Sequence, residues 1–431
     1  MPTVLVLCFD SHVRLIREFF ERDTTYDAVI DPQSAIERDG VGAYVERIAE
    51  KIRSGRLSVD GIATTTEDLA LVASVIAREA GLAGPAPGAV FACQNKLVQR
   101  TLQRECAPEA TPDFFLARDW LVGEVPGVQF PLFVKPVTSA LSFYSHHVED
   151  AGELRRIIRE GRDIVPSGNR LNSEVIELGY IDHPWAPLHS ELLCEGVITG
   201  TQVTVDGYVR EGGVVLLGTT LSVFVPGTIS FSRFDFPHQF DPEIDSRVAG
   251  LVQRVVTHIG LDDTLFNMEL MVDGGTGAIS IVELNTRLSF QFVPLIEWVR
   301  GVSPLRIMCD IAVGREPKRL ATEGAGPYSM SSSCVLRTPE DRWVVDVPSS
   351  EDVARIEAER PNVRVFPLVA PGTRLSDYLQ DAYTYRYCLV NIAGEDIDEV
   401  ISTLAVVKNG LGFRLAPAED SPASPVKKEK R

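Results

Sequence analysis

The sequence predicts an α/β opening built on a parallel sheet, an α+β body and a small C-terminal lobe. Thr3 to Phe9 is an unbroken apolar run followed by a helical stretch, His12 to Arg22, and a second strand-and-helix pair spans Val59 to Gly81. Strands buried on both faces and alternating with helices form parallel sheets covered by helices. From Pro131 onward the pattern changes to short strands joined by turns, and a further group of strands begins after about Ala321.

Taken in order, the turn after the first strand is Asp10-Ser11-His12, where a dinucleotide site would show GxGxxG, so NAD(P) is disfavoured. Gly81 to Gly88, GLAGPAPG, is a turn-rich connector. The helix after it, from about Asn95 to Glu105, ends near Pro108 and Pro112. The body holds strands over Leu132 to Pro136, Leu192 to Val209 and Val214 to Thr220, then a hairpin from Phe266 to Arg287 and a helix from Val293 to Arg300. The last region has strands at Tyr328 to Leu336, Val363 to Val369 and Tyr387 to Asn391. Pro417 to Arg431 combines Pro, Ser and a KKEKR run with almost no apolar side chains, and is expected to be a disordered tail because it cannot offset its ordering entropy.

Bulk properties narrow the function. A chain of 431 residues, 45% hydrophobic and 24% charged, has the composition of an ordinary globular protein with two or three packed units. The net charge of −18, with no basic stripe to offset it, disfavours a nucleic-acid partner and an anionic membrane surface. An anionic substrate would therefore need local positive charge. Seven cysteines show no CxxC spacing and fall mostly in apolar surroundings, as reduced core thiols do. With no basic leader before the short first apolar run, the expected compartment is the cytoplasm. None of the scattered histidines (His146, His147, His183, His189, His238) has zinc-site spacing, and they read as surface or structural groups.

The hairpin carries the strongest chemistry. Ile279, Ile281, Glu283, Asn285 and Arg287 alternate along one strand, apolar first and polar at the end, so the polar groups pool at one place. A loop at Gly275 to Gly277 would pair Asp273 with Ile279 and Glu269 with Glu283. Opposed carboxylates lie about 5 Å apart at Cβ and repel unless a cation sits between them. A divalent cation fits that gap between Glu269 and Glu283, and hard oxygen ligands suit Mg²⁺ better than zinc. The plainer alternative is an ordinary surface ion pair between Glu283 and Arg287, and a slip of one residue would turn Glu283 away from Glu269.

Lys96 opens a helix and Lys135 ends the strand FPLFVKP, so either ammonium could project toward phosphate as a compact charge. After Lys135, Pro136 to Ser142 is a loop of short side chains, Ser139 among them, whose backbone N–H groups and hydroxyls could line a triphosphate; a polar hairpin turn is the competing reading. The run from Leu192 to Ile198 could present backbone groups and Glu195 to an adenine edge, with Gln202 near a ribose.

In order, Asn95-Lys96, Val134-Lys135-Pro136, Cys194-Glu195-Gly196-Val197, Phe266-Asn267-Met268-Glu269 and Glu283-Leu284-Asn285-Thr286-Arg287 resemble the ATP-grasp superfamily, particularly its carboxylate-amine ligases. The stretch VFPLVAPGTRLSDYLQDAYTYRYCLVNIAG also looks like the C-terminal lobe of L-amino acid ligases. The resemblance implies an N-terminal domain over 1–92, an ATP-grasp domain over 93–320 with a lid at about 130–200, a C-terminal lobe over 321–415 and a tail over 416–431. It also implies that Lys96 and Lys135 hold ATP phosphates, Glu195 and Val197 meet adenine, Gln202 faces the ribose, Glu269, Glu283 and Asn285 bind Mg²⁺ or Mn²⁺, and Arg287 stabilises an acyl-phosphate and the intermediate formed from it. The implied partners are a small-molecule carboxylate and an amine, amino acids first among them, and a homodimer is compatible with it. The sequence departs from the family pattern in the glycine-poor loop after Lys135 and in Gln202, where many relatives carry an acidic residue. The expected activity is ATP-dependent amide or dipeptide formation. A carboxylase-like or kinase-like phosphoryl transfer and an inactive nucleotide-binding regulator are the rivals.

Overall fold

The computed structural model describes residues 1–125, 127–138, 144–165, 170–188, 190–317, 326–378, 380 and 384–417. Ser139 and residues 418–431 of the expected tail lie outside the described residues, while Ala416 and Pro417, at the start of that tail, belong to a strand over Arg414–Pro417 that pairs with Arg342–Asp346. The chain groups into two compact units, one made of Met1–Thr220, His238–Val293 and Ser303–Leu320, the other of Leu221–Pro237, Pro294–Val302 and Ala321–Arg431.

The first unit opens with β1 (Thr3–Cys8), α1 (Val13–Arg22), β2 (Asp27–Pro32), α2 (Gln33–Asp39), α3 (Val41–Arg53), β3 (Gly61–Thr64) and α4 (Glu67–Ala80). The three strands form a parallel sheet in the order β2-β1-β3, and Val4 to Cys8 of β1 are fully buried, as a central strand covered on both faces requires. The sequence reading passes over β2 and the two helices after it. The apolar core of β2 is only Ala28-Val29-Ile30, set between Asp27 and Asp31, and the strand lies at the sheet edge. Because the chain leaves β1 toward one side and returns on the other, the loops after β1 and β3 flank a topological switch point, where open α/β sheets bind ligands.

Next come α5 (Pro87–Gln94) and α6 (Lys96–Cys106), joined at Asn95, whose side chain accepts from Val98 N and caps α6. A four-stranded antiparallel sheet of order β4-β7-β5-β6 follows, from β4 (Phe114–Leu116), β5 (Leu132–Pro136), β6 (His146–Val148) and β7 (Leu192–Gly196). Among the helices α7 (Ala117–Leu121), α8 (Ala151–Ile164) and α9 (Arg170–Glu177), it is α8 that sets Leu154, Ile157 and Ile158 against Leu132, Val134, Val148 and Cys194 of this sheet. The expected strand from Leu192 to Val209 is in fact two, β7 and β8 (Thr201–Arg210), in different sheets. They part at Gly200, where φ is 140° and an added Cβ would lie 2.6 Å from the carbonyl oxygen of Val272.

β9 (Gly213–Phe224) begins in this unit and ends in the other, and β10 (Phe231–Phe236) belongs to the second. The first unit then adds α10 (Pro242–Ile259), β11 (Thr264–Val272) and β12 (Ile279–Asn285), with β11 between β8 and β12 in an antiparallel ladder. After α11 (Val293–Arg300), α12 (Pro304–Ala312) completes it. In the second unit β10 pairs with β13 (Met330–Thr338), β13 with β16 (Tyr385–Gly394) and β16 with β15 (Val363–Pro367), while β14 (Arg342–Asp346) pairs with β17 (Arg414–Pro417). Val353 and Ile356 of α13 (Ser350–Glu359) and Val400 and Val407 of α14 (Ile397–Gly410) pack on Val363, Val365, Val390 and Ile392 of this sheet.

All seven cysteines are unpaired, and all but Cys106 are buried. Among the described residues no helix is long and apolar enough to cross a membrane.

Candidate functional site

The hairpin brings Glu269 and Glu283 face to face, though not by the expected register. Val272, not Asp273, pairs with Ile279, because Asp273 opens the loop: its Oδ1 accepts from Gly275 N, Thr276 N and the Thr276 hydroxyl, at 3.0, 2.7 and 2.8 Å. That slip alone would turn Glu283 away. A bulge at Val282, between the pairs Leu270–Ile281 and Glu269–Glu283, restores the facing pair and carries Asn267 opposite Asn285.

Helix α6 closes the free edge of β12. The Gln99 amide donates to Leu284 O at 2.9 Å and accepts from Leu284 N at 3.0 Å, taking the place of a neighbouring strand. One turn of polar side chains does the rest. Arg100 Nη2 donates to the carbonyl of the bulge residue Val282 at 2.7 Å, and Lys96 Nζ lies 2.9 Å from Glu283 Oε1. The Lys96 backbone N–H is itself held by Val137 O at 2.8 Å, so the loop after β5 and the start of α6 are tied together.

Arg100 also grips Glu195 of β7 through Nε–Oε1 at 2.8 Å and Nη2–Oε2 at 3.1 Å, and Lys135 Nζ reaches Glu195 Oε2 at 2.9 Å. All three side chains are buried. Burial alone would raise the Glu195 carboxyl, but Arg100 and Lys135 outweigh it and hold the group down at about 2. Burial, with Arg100 beside it, lowers the Lys135 ammonium against the pull of Glu195. Glu195 therefore points at two cations rather than at an adenine edge. What β7 offers beyond its end is backbone and the exposed side chain of Val197.

Glu269 is pushed up to about 7, first by burial and then by the charge of Glu283, while Lys96 and Lys135 keep Glu283 below the usual carboxylate range despite its burial. Gln202 donates to Glu269 Oε2 at 2.9 Å, so its amide serves that carboxylate. Asn285 Nδ2 donates to Asn267 Oδ1 at 3.4 Å. Asn267 Nδ2 donates in turn to Ser289 Oγ at 2.7 Å and to Asp206 Oδ1 at 3.2 Å. Arg287 Nη1 donates to Ser289 Oγ at 3.3 Å, and its Nε lies 3.6 Å from Glu67 Oε2. Glu67 is raised to about 7 by burial, with Arg287 opposing that and Glu283 adding to it. His12 stacks on Phe290, ring centroids 3.7 Å apart, and burial beside Arg287 lowers it to about 3, so it is a neutral imidazole with Nδ1 2.9 Å from Thr65 Oγ1.

Lys96, Lys135, Glu195, Gln202, Glu269, Glu283 and Asn285 are thus linked through α6, β5, β7, β8, β11 and β12, and Arg287 follows the end of β12. Sequence reading missed Gln99, Arg100, Glu67 and His12. A signal was present on α6: Lys96, Gln99, Arg100 and Gln103 share one helix face, and all four are buried polar groups.

A divalent cation fits this set. Among the described residues no group of three or more His, Cys, Asp or Glu side chains could hold a metal. The set offers two opposed carboxylates and an amide oxygen, which suits an ion such as Mg²⁺ whose remaining ligands are phosphate oxygens and water.

Two lysines and a Glu/Glu/Asn hairpin end are thus brought together by two antiparallel sheets. Residues 128–292 match the family model of the ATP-grasp domain, and the chain has the ATP-grasp fold. It is similar to the L-amino acid ligase from Bacillus licheniformis, with a TM-score of 0.73 at 16% identity over 96% of this chain and 98% of that one. Phosphoribosylglycinamide synthetase from Anaerococcus prevotii superposes with a TM-score of 0.65 at 13% identity, over 96% and 99%. In sequence the chain is 24% identical to carnosine synthase 1 of Mus musculus over 389 residues, 85% of this chain, and spans only 43% of that protein's length. The likeness to the ATP-grasp superfamily expected from the motifs is borne out in the fold.

Proposed function

We propose that the protein is an ATP- and Mg²⁺-dependent carboxylate-amine ligase that joins an acid to an amine, with amino acids as the substrate class and a dipeptide or related amide as product. The carrying observation is the charge balance of the site. Lys96, Arg100, Lys135 and Arg287 face Glu67, Glu195, Glu269 and Glu283, so the cations are already matched by carboxylates and a nucleoside triphosphate needs a divalent cation to enter. Glu269, Glu283 and Asn285 would hold Mg²⁺ or Mn²⁺, which would supply charge neutralisation to the phosphates. The named relatives support the ligase class.

In this reading Lys96 and Lys135 turn from their carboxylates to the ATP phosphates, and the substrate carboxylate takes the γ-phosphoryl group at Arg287 as the bond to the β–γ bridging oxygen breaks and ADP leaves. An amine then attacks the acyl-phosphate carbonyl, phosphate leaves, and Arg287 stabilises the oxyanion that develops between those steps. Phosphoryl transfer asks the protein mainly for positioning and charge, which this constellation supplies without a nucleophilic side chain. Gln202 positions Glu269, and Val197 and the backbone after β7 meet the base. Ser139 would contribute its hydroxyl to the phosphates, and the N-terminal, ATP-grasp and C-terminal regions would divide at residues 92, 320 and 415.

Purified protein with ATP and Mg²⁺ should release phosphate only when an acid and an amine are both present, and mass spectrometry should find the two joined with loss of water. ATP consumption that yields a carboxylated or phosphorylated product instead would overturn the reading.

A further inference from the structure

Glu67, which Arg287 faces from the start of α4, and its neighbour Thr66 take no part in the chemical steps above. Thr66 and Glu67 stand at the start of α4, directly after β3, on the switch-point crevice between β1 and β3. Thr66 occupies the N-cap position yet makes no capping hydrogen bond, and its buried Oγ1 has no partner among the described residues. Glu67 Oε2 is equally without a hydrogen bond, although its side chain is only 13% exposed, and the Arg287 guanidinium stops at 3.6 Å. Two consecutive residues thus hold unused acceptors where an unmet polar atom is costly. An ammonium group carries three donors and no acceptor, so it can meet both atoms at once.

Resting on the ligase reading, we propose that Glu67 and Thr66 receive the ammonium of an amino acid whose carboxylate is activated at Arg287, so that the acid substrate is read by its free amine. Arg287 and Glu67 form an adjacent cation and anion, complementary to a zwitterion whose two charged groups share or neighbour one carbon. A plain carboxylic acid would satisfy Arg287 and leave both acceptors unmet. Neutral His12, stacked beside Arg287, adds no competing positive charge.

The test compares each amino acid that supports turnover with its des-amino analogue as carboxyl donor, under Mg²⁺, ATP and a fixed amine. Wild type should prefer the amino acid by about 10- to 100-fold or more in kcat/KM, the scale of a hydrogen bond to a charged group. Glu67→Gln should lose most of that preference through KM, while affinity for a non-hydrolysable ATP analogue with Mg²⁺, read by calorimetry, stays within about twofold. Thr66→Val, which removes only a hydroxyl, should lose a smaller part and covers the case in which the Glu67 variant does not fold. A preference unchanged in the variants overturns the assignment. So does a fall in kcat that is equal for donors with and without the amine, which would mark Glu67 as a base or a structural partner of Arg287. A wild type that consumes no ATP with any acid and amine overturns the ligase reading itself and takes this inference with it.

Discussion

Replacing Glu269 by Gln should make the protein more stable and inactive together. In the fold this carboxyl faces Glu283 across the ladder and titrates at about 7 in place of 4.5, because burial and the neighbouring charge both oppose its ionisation. A raised value in the folded state means that the group's contribution to stability is full below about 4.5 and is lost as pH rises through about 7. At about 1.36 kcal/mol per pH unit between the two values, the loss reaches about 3 kcal/mol at pH 8 and stays under about 1 kcal/mol at pH 5. The pH 8 figure is an upper one, since the side chain is only partly buried and solvent screens it. Gln keeps the shape and can still accept from Gln202, so little else is lost. In metal-free buffer at pH 8 the Glu269→Gln variant should melt about 5 °C above wild type, and the gap should close at pH 5. Adding Mg²⁺ and ATP should raise the wild-type Tm more than the variant's, and ATP-dependent turnover should vanish in the variant. A variant that melts at or below wild type at pH 8, or a gap indifferent to pH, would show that the facing carboxylates are not held under repulsion and that Glu269 is not a waiting metal ligand.

Arg287→Met should lower kcat and kcat/KM together by about 10²-fold or more with little change in Tm, as expected of a charge used mainly in the transition state. An unstable variant with normal turnover would reduce Arg287 to a partner for Glu67 and Ser289. Arg100→Met removes one cation from the buried Glu195 triad and strands the Val282 carbonyl, and should cost about 3–5 kcal/mol in urea unfolding; a loss below about 1 kcal/mol would mean that Lys135 alone satisfies Glu195. Acid should act on the same group, because the depressed carboxyl of Glu195 stabilises the fold above about 4.5 and loses that effect as pH falls toward about 2, which pH-dependent unfolding of wild type and Glu195→Gln would separate.

The candidate site was legible wherever a residue's role follows from its own strand or helix. Period-two alternation put Glu283 and Asn285 at the polar end of β12, and Lys135 was visible as the last charged group of an otherwise apolar strand. The facing of Glu269 and Glu283 was expected for the wrong reason: Asp273 joins the loop through its own side-chain hydrogen bonds, and the bulge at Val282 cancels the shift. No local pattern marks that bulge, because its carbonyl is satisfied by Arg100, more than a hundred residues earlier in the chain. Glu195 misled in the same way. From β7 alone its carboxylate looks free to meet a ligand, and only the fold brings Arg100 and Lys135 to it.

Helix α6 is where these long-range terms converge, and its composition makes sense only with its neighbours in place. A helix that buries Lys96, Gln99, Arg100 and Gln103 together would be unstable against an apolar core, since each polar group would lose water without a partner. Here it faces the open edge of β12, whose peptide groups need a donor and an acceptor that another strand would normally provide, and Gln99 supplies both. The next residue, Arg100, spans from the bulge carbonyl to Glu195 on β7, so one guanidinium fixes β12 against β7. Gln103 then closes the set by accepting from Arg100 Nη1 at 2.6 Å and donating to Gln99 Oε1 at 3.0 Å. These contacts are made by side chains and not by a continuous sheet, and they hold the two sheets in register around Lys96 and Lys135, at the helix start and the end of β5, whose carboxylate partners the proposed ATP phosphates would replace.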